Sequence, residues 1–276
     1  MGVCAGTAQA AATVPAITAF PVVGNVTYTD DFGAPRPGGS HQGNDIMSVR
    51  HQPAVAFEAG WVHKMPGSGG CMLELHGKSG MVYWYIHLNN DLGATNDNNA
   101  GCSKAYAPGL SEGQSVRIGQ LVGFVGDSGD ANSIQPHLHF EVHKPSGQRL
   151  NPFAYLNKAK HLLYPRPAAS DPVTLSFNKA KVVSADPGAS TLTVRTKRIR
   201  VLPSQAGYPF ARNVVLSVMG DARLQRVTSS GRTSLQLSDL QAGMILWVGT
   251  TEFVPSWMTQ RAAAGVLAAD AVTLRQ

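Results

Sequence analysis

Histidines and carboxylates able to bind a metal lie in two short motifs in the first half of the chain. His41 and Asp45 are the first and last residues of the sequence His-Gln-Gly-Asn-Asp, and His137 and His139 lie two residues apart in an apolar run. A further histidine, His87, lies in another apolar run between them. Two imidazoles, one carboxylate and an open position are typical of catalytic zinc. These residue types predict metal-assisted hydrolysis, although each motif alone is also common in proteins that bind no metal.

The two histidine-containing runs have the pattern of β-strands. Side chains two residues apart share one face of a strand, so we expect His137, His139 and Glu141 to project together. Glu141 would then either orient a metal ligand or be a surface carboxylate without a role. By the same alternation Tyr85 should lie beside His87, where it would orient that side chain or contact substrate.

Composition and turn residues predict an all-β chain. Of the residues, 43% are hydrophobic and only 14% are charged, which excludes intrinsic disorder, and no apolar run reaches the roughly 18 residues of a membrane helix. The 29 glycines and 17 prolines separate short apolar or β-branched runs in both halves, a pattern of antiparallel strands. A proline-rich linker is expected at residues 164–172, between domains at 18–163 and 173–276, after a leader or disordered tail at 1–17.

The motifs resemble, in their order, those of the lysostaphin-type zinc endopeptidases. The resemblance spans roughly residues 20–156, and its blocks are Gly38 to Ile46, Tyr85 to Leu88, Glu112 to Gly123 and Pro136 to Val142. It implies an antiparallel β-sheet peptidase domain with a groove. It also implies that His41, Asp45 and His139 hold one Zn²⁺ per chain. His87 and His137 would be the catalytic pair beside it.

This resemblance implies a secreted zinc metalloendopeptidase that hydrolyses peptide stems or cross-bridges of bacterial peptidoglycan. Its place would be extracellular, in the cell wall or in the periplasm, and we expect a monomer with no nucleic-acid partner and no membrane span. The alternative is a non-catalytic peptidoglycan-binding or amidase-activator protein on the same fold. Such members typically lack ligands, whereas all five metal and catalytic positions are filled in this chain.

Three features outside these motifs carry further predictions. The sequence Ala8-Gln9-Ala10 has the form of a signal-peptidase site, so a mature protein is expected to start near Ala11. Residues 89–108 look like an insertion at the rim of the groove. Cys71 and Cys102 either form a disulfide or are two unrelated thiols. The histidines without a motif position are interpreted as surface or structural residues: His51, His63, His76, His143 and His161.

The C-terminal part of the chain, residues 166–276, carries an excess of positive charge, which predicts a function different from that of the first part. Residues 1–165 hold ten basic and eleven acidic residues, whereas residues 166–276 hold thirteen and six. We expect a small β-barrel-like accessory domain there. It contains a basic run, which either binds an anionic cell-wall polymer or protects an edge strand from aggregation. The residues of this run are Arg195, Lys197, Arg198 and Arg200.

Overall fold

The computed structural model describes residues 12–93, 95–162, 165–166, 175–201, 206–250 and 267–275. The predicted leader cleavage site and most of the predicted linker lie outside these ranges. Within them, no helix is both long enough and apolar enough to cross a membrane. The described chain is built from β-strands in two regions, and the strands pair antiparallel except for one parallel pair in the second region. The all-β prediction is confirmed.

The first region contains eleven strands, one short α-helix and two 3₁₀ turns in its described residues. The strands are β1 (Pro35–Arg36), β2 (Gly39–Ser40), β3 (Asn44–Met47), β4 (Pro53–Val55), β5 (Gly60–Lys64), β6 (Cys71–Gly77), β7 (Val82–Leu88), β8 (Ser115–Val116), β9 (Leu121–Phe124), β10 (His137–His143) and β11 (Arg149–Leu150). The helix is α1 (Phe153–Leu156), and the 3₁₀ turns are Gly101–Lys104 and Gly129–Ala131.

The main sheet of this region holds both histidine-containing strands side by side. Its strands pair in the order β11-β10-β7-β6-β5-β8, and β3 also pairs with β10. Alternation along β10 sends Leu138, Phe140 and Val142 into the core, and the ring of Phe140 packs 5.2 Å from that of Phe57. Burial of this apolar face fixes the register of the strand, because a slip of one residue would turn its histidines inward.

A disulfide anchors the insertion at residues 89–108. Cys71, at the start of β6, is bonded to Cys102 in the first 3₁₀ turn, which decides between the two alternatives that the sequence left open. The insertion is also held by Arg50, whose guanidinium lies 2.7 Å from both Asp91 and Asp127. Asp91 and Asp127 are fully buried. The disulfide and the ion pair with Arg50 therefore hold the insertion against the rest of the first region.

The second region contains six strands and one 3₁₀ turn in its described residues. They are β12 (Leu175–Asp186), β13 (Thr191–Val201), β14 (Ala206–Thr228), β15 (Gly231–Ser234), the turn Leu237–Asp239, β16 (Ile245–Thr250) and β17 (Leu267–Arg275). Pairing runs β13-β12-β16-β17-β14, and β14 pairs again with β13. The long β14 thus closes the sheet on itself, and the inward residues form a second core.

The two regions are in direct contact. Asp221 of β14 accepts hydrogen bonds from Arg166 at 2.7 Å and from Arg117 at 3.0 Å, and the Arg166 side chain is fully buried. Arg166 also donates to the carbonyl of Ile118 at 2.8 Å. A small apolar cluster also combines residues of both regions: Ala19, Val23, Val55, Ile118, Leu162, Met219 and Ala268.

Candidate metal centre and groove

Three potential ligand atoms converge at one point of the main sheet. His41 Nε2 lies 3.1 Å from Asp45 Oδ1, and His139 Nδ1 lies 2.9 Å from each of these two atoms. Atoms at this mutual spacing can all reach one zinc ion at its usual distance of about 2 Å. Among the described residues this is the one group of three that fits a metal.

Strand pairing brings the carboxylate to the histidine. Asp45 of β3 is the register partner of His139 of β10 in the antiparallel pair, so their side chains leave the sheet as neighbours. Gly43 allows this close approach. A Cβ atom on Gly43 would lie 2.4 Å from the carbonyl oxygen of Phe140 and 2.9 Å from His139 Nε2. The glycine of the His-Gln-Gly-Asn-Asp motif is therefore required by packing.

In each ligand histidine, the ring nitrogen that faces away from the centre is hydrogen-bonded to an oxygen. His41 Nδ1 lies 3.0 Å from the carbonyl oxygen of Asp31, and His139 Nε2 lies 3.1 Å from Glu141 Oε1. Because these oxygens only accept, the nitrogens beside them carry the protons. His41 Nε2 and His139 Nδ1 are the nitrogens that face the centre, and each can offer its lone pair to a metal once it has lost its proton.

The electrostatics of the centre favour a cation. Arg36 Nη2 donates to Asp45 Oδ2 at 2.7 Å, which leaves Oδ1 for the centre. Burial alone would raise the pKa of Asp45, but hydrogen bonds from His139 and His41 hold it well below its usual range. Burial likewise would lower the pKa of His139, yet its bonds to Asp45 and Glu141 raise it to about 9. The surroundings thus stabilise positive charge here, which fits a divalent ion.

Glu141 accepts hydrogen bonds from three side chains and so connects the centre to two residues outside it. Its carboxylate accepts from His139, from His143 Nε2 at 2.5 Å and from Arg149 Nε at 3.0 Å. These bonds outweigh burial, which would raise the pKa of Glu141, and lower it to about 2. His143 also stacks on Trp84 with ring centroids 4.7 Å apart. The i+2 spacing predicted the place of Glu141, and one further step along the strand would have revealed His143.

His137 and His87 lie beside the ligand atoms with a common hydrogen-bonding pattern. His137 Nδ1 donates to the carbonyl of Gln135 and His87 Nδ1 to that of Ser128, each at 2.9 Å. Nε2 is therefore the proton-accepting atom of both rings. His137 Nε2 lies 3.7 Å from Asp45 Oδ1, and the His87 and His137 ring centroids lie 5.0 Å apart.

Burial keeps His87 in the form that accepts a proton. Its desolvation, together with the neighbouring His137, lowers the pKa of His87 to about 4. The ring is then neutral near pH 7, whereas an exposed histidine is partly charged close to its ordinary pKa of about 6.5.

A bulge in β7 separates Tyr85 from His87 and corrects one prediction. Between the pairs Leu73↔Tyr85 and Cys71↔Leu88, β7 has one residue more than β6, and His87 has a left-handed φ of 62°. The extra residue shifts the alternation, so that Leu88 enters the core and His87 lines the groove. Tyr85 is fully buried, and its hydroxyl donates to the carbonyl of Val55 at 2.9 Å. It braces the core and does not contact the groove.

The ligand atoms and both further histidines open onto one groove. Its volume is about 640 Å³. The walls come from the β1–β2 hairpin, from the loop before β6 and from the second 3₁₀ turn. Besides the five central residues, the groove is lined by Arg36, Gln42, Met72, Trp84, Ile86, Asp130 and Ile134. The structure thus brings together His41, Asp45, His87, His137 and His139. The basic run Arg195–Arg200 lies on β13 of the other region.

Residues 39–152 match the sequence model of peptidase family M23. One curated relative, the L-Ala–D-Glu endopeptidase of Bacillus subtilis, is 27% identical over 140 residues. The match covers 47% of this chain and 38% of the relative. The chain therefore spans about two fifths of the length of that relative.

Two solved structures are similar to part of the chain. A Ruminococcus gnavus protein with the name glycyl-glycine endopeptidase LytM has a TM-score of 0.42 and 24% identity, covering 51% of this chain and 59% of its own. The catalytic domain of lysostaphin from Staphylococcus simulans has a TM-score of 0.38 and 24% identity, covering 48% and 92%. The family assignment rests on the sequence match. The match of residues 39–152 to the model of peptidase family M23 confirms the lysostaphin-type resemblance.

Proposed function

We propose that the chain is a zinc-dependent endopeptidase that hydrolyses peptide bonds in bacterial peptidoglycan. Its place of action would be outside the cytoplasm, as a secreted, wall-associated or periplasmic protein. The observation that carries the proposal is the convergence of His41, Asp45 and His139 beside two histidines with acceptor nitrogens. The peptidase-family match of residues 39–152 supports the same chemistry.

The chain's own residues supply a holder for the metal and two sites for protons. When bound, zinc acts as a Lewis acid and makes a water nucleophilic near neutral pH. Arg36 and Glu141 hold the ligands in place through Asp45 and His139. His137 Nε2, which lies 3.7 Å from Asp45 Oδ1, can accept the proton of the attacking water. The neutral His87 is a second acceptor, and through Nε2 it can relay a proton to the leaving amine.

The groove determines which peptides reach this centre. Trp84, Met72 and Ile86 offer apolar surface, whereas Arg36 and Asp130 place one charge of each sign at the walls. A peptide with both apolar and charged groups fits such a lining.

The decisive experiment combines metal analysis with product analysis. The purified chain is expected to contain one zinc ion per chain and to release new amino groups from peptidoglycan, identified by mass spectrometry of the fragments. Removal of zinc by a chelator should stop the release, and added zinc should restore it.

Two results would contradict the proposal in different ways. Zinc bound without hydrolysis of any wall type would indicate a non-catalytic wall-binding or amidase-activator protein. Hydrolysis that survives complete zinc removal would show that the centre has another role. His76→Ala is a matched control, because His76 lies on β6 outside the groove lining, and this variant should retain both zinc and activity.

A further inference from the structure

A dense group of cations lies on the outside of the second region. β12 and β13 are neighbours in the sheet, and neither segment 175–185 nor segment 191–201 contains an acidic residue. The outward side chains of these two strands form what we call the basic face. Its members, all exposed, are Lys179, Lys181, Arg195, Lys197, Arg198 and Arg200.

Protection of a sheet edge does not explain these charges. Lysines are common on edge strands, where they prevent pairing with another chain. β13, however, pairs with β12 on one side and with β14 on the other, from Thr191 to Val201. β12 is also paired on both sides, with β13 and β16. The closed sheet leaves neither strand as an edge, so the charges require another explanation.

The arrangement of the charges is unfavourable for the isolated protein. Lys181 and Arg195 are direct register partners, and like charges opposite each other on neighbouring strands are destabilising. Arg195 finds only neutral acceptors in the described contacts, Asn213 Oδ1 and the carbonyl oxygen of Ala211, each at 3.4 Å. An anionic ligand would remove this repulsion.

The spacing of the charges suits an extended ligand. Side chains two residues apart on a strand are about 7 Å apart, and Arg195 to Arg200 span about 17 Å. Arginine guanidinium groups match phosphate oxygens in bidentate geometry. Phe177, the one aromatic residue of the two segments, is fully buried, so the basic face offers no ring on which a nucleobase could stack.

We propose that the basic face binds a linear polymer that carries phosphate groups along its chain. The polymer would lie across β12 and β13, with successive phosphates against Lys181 and Arg195 and then against the following cations of β13. Because binding needs no turnover, this proposal is independent of the peptidase activity. The contact of Asp221 with Arg117 and Arg166 connects the domain with this face to the domain with the groove.

Binding of the full chain to linear polyphosphate tests the proposal. Affinity should fall steeply between about 0.05 and 0.3 M salt, as expected for release of counterions. A variant that removes four of the charges should bind at least about tenfold more weakly and with a shallower salt dependence. Its substitutions are Lys179→Gln, Lys181→Gln, Arg195→Gln and Lys197→Gln.

A second variant removes the same net charge elsewhere and should bind nearly as well as the parent chain. Its substitutions, all at exposed positions, are Lys78→Gln, Lys104→Gln, Lys158→Gln and Arg232→Gln. Equal losses in both variants, or no saturable binding of polyphosphate by the parent chain, would overturn the proposal. Tighter binding to phosphatidylglycerol vesicles or to single-stranded DNA at equal phosphate concentration would also overturn it, in favour of a membrane or a nucleic acid.

The unliganded protein provides an independent readout that does not depend on the fold of a multiple variant. Lys181→Gln alone removes the cross-strand repulsion and is expected to raise the melting temperature in the absence of polymer. It should also reduce the stabilisation that added polyphosphate gives to the parent chain. A lower melting temperature with unchanged polyphosphate response would contradict a ligand-binding role for this pair.

Discussion

β10 and β7 lie side by side in the main sheet, yet they present their histidines by different means. Regular alternation along β10 places His137, His139 and Glu141 on the groove face and their apolar neighbours in the core. β7 presents His87 through an extra residue and a left-handed backbone.

This difference separates the two tasks of the site. A regular, doubly paired strand offers little freedom, which suits a ligand that must meet Asp45 across the β3–β10 pair. The bulge instead turns His87 toward the groove, a direction that regular alternation along β7 would not give it. The left-handed backbone at this position costs about 1–2 kcal/mol. Strain of this kind is frequent at functional positions.

The largest effect is expected from His139→Ala on the regular strand. It removes one of three ligands and leaves Glu141 without its partner at the centre. Both zinc and activity should be lost, because a two-ligand site binds far more weakly. Zinc content after gel filtration and fragment release from peptidoglycan measure the two losses. Full activity in this variant would refute the site.

His137→Ala and His87→Ala should separate rate from metal binding. Neither residue supplies one of the three converging atoms, so both variants should retain zinc. If the rings handle protons, each should lower the rate by about 10² or more. The zinc content per chain and the initial rate of hydrolysis, measured for both variants, check this prediction. A zinc-free His137→Ala protein would move that residue from the proton-transfer pair to the ligand set.

Glu141→Gln tests whether the Glu141 carboxylate holds the ligand His139 in position on β10. Gln keeps the size of the side chain but removes the charge that fixes His139, His143 and Arg149. We expect zinc affinity to fall by about 10- to 100-fold, the usual effect of losing such a partner. Competition with a chromophoric chelator measures the affinity. An unchanged affinity would show that this buried carboxylate does not position the metal ligand His139.

The smallest effect concerns the backbone at the two strands. At position 87 a left-handed φ favours glycine over alanine, so His87→Gly should be more stable than His87→Ala by about 1 kcal/mol. At position 137, in regular strand, the order should reverse by about 0.5–1 kcal/mol. Urea unfolding of the four variants measures both differences. If the Gly and Ala variants had the same order of stability at both positions, the backbone bulge would not be what distinguishes β7 from β10.

The same two strands show how far the sequence predicts the site. Alternation is sufficient for β10, and it places His137, His139 and Glu141 correctly on one face. It fails for Tyr85, because the apolar pattern of β7 carries no mark of the extra residue. The convergence of Asp45 on His139 depends on pairing between segments far apart in the chain, which the motif resemblance supplied and local pattern could not.

In the second region, the strand pattern predicted a β-barrel-like domain but not which strands pair to close the sheet. Whether the basic run lies on an edge depends on the return of β14 to β13, a long-range contact that composition does not encode. The contact of Cys71 with Cys102 was equally open from the sequence, because the two cysteines are brought together only by the fold.

The buried arginine between the two regions has a consequence for any attempt to divide the protein. Arg166 lies within the predicted linker, and its guanidinium is enclosed between Ile118 and Asp221. A fragment truncated at residue 163 would lose this cation and leave Ile118 and Leu162 uncovered on its surface. Such a fragment would be prone to self-association. A fusion of the peptidase region to another protein therefore needs either the whole chain or polar substitutions in this exposed apolar patch.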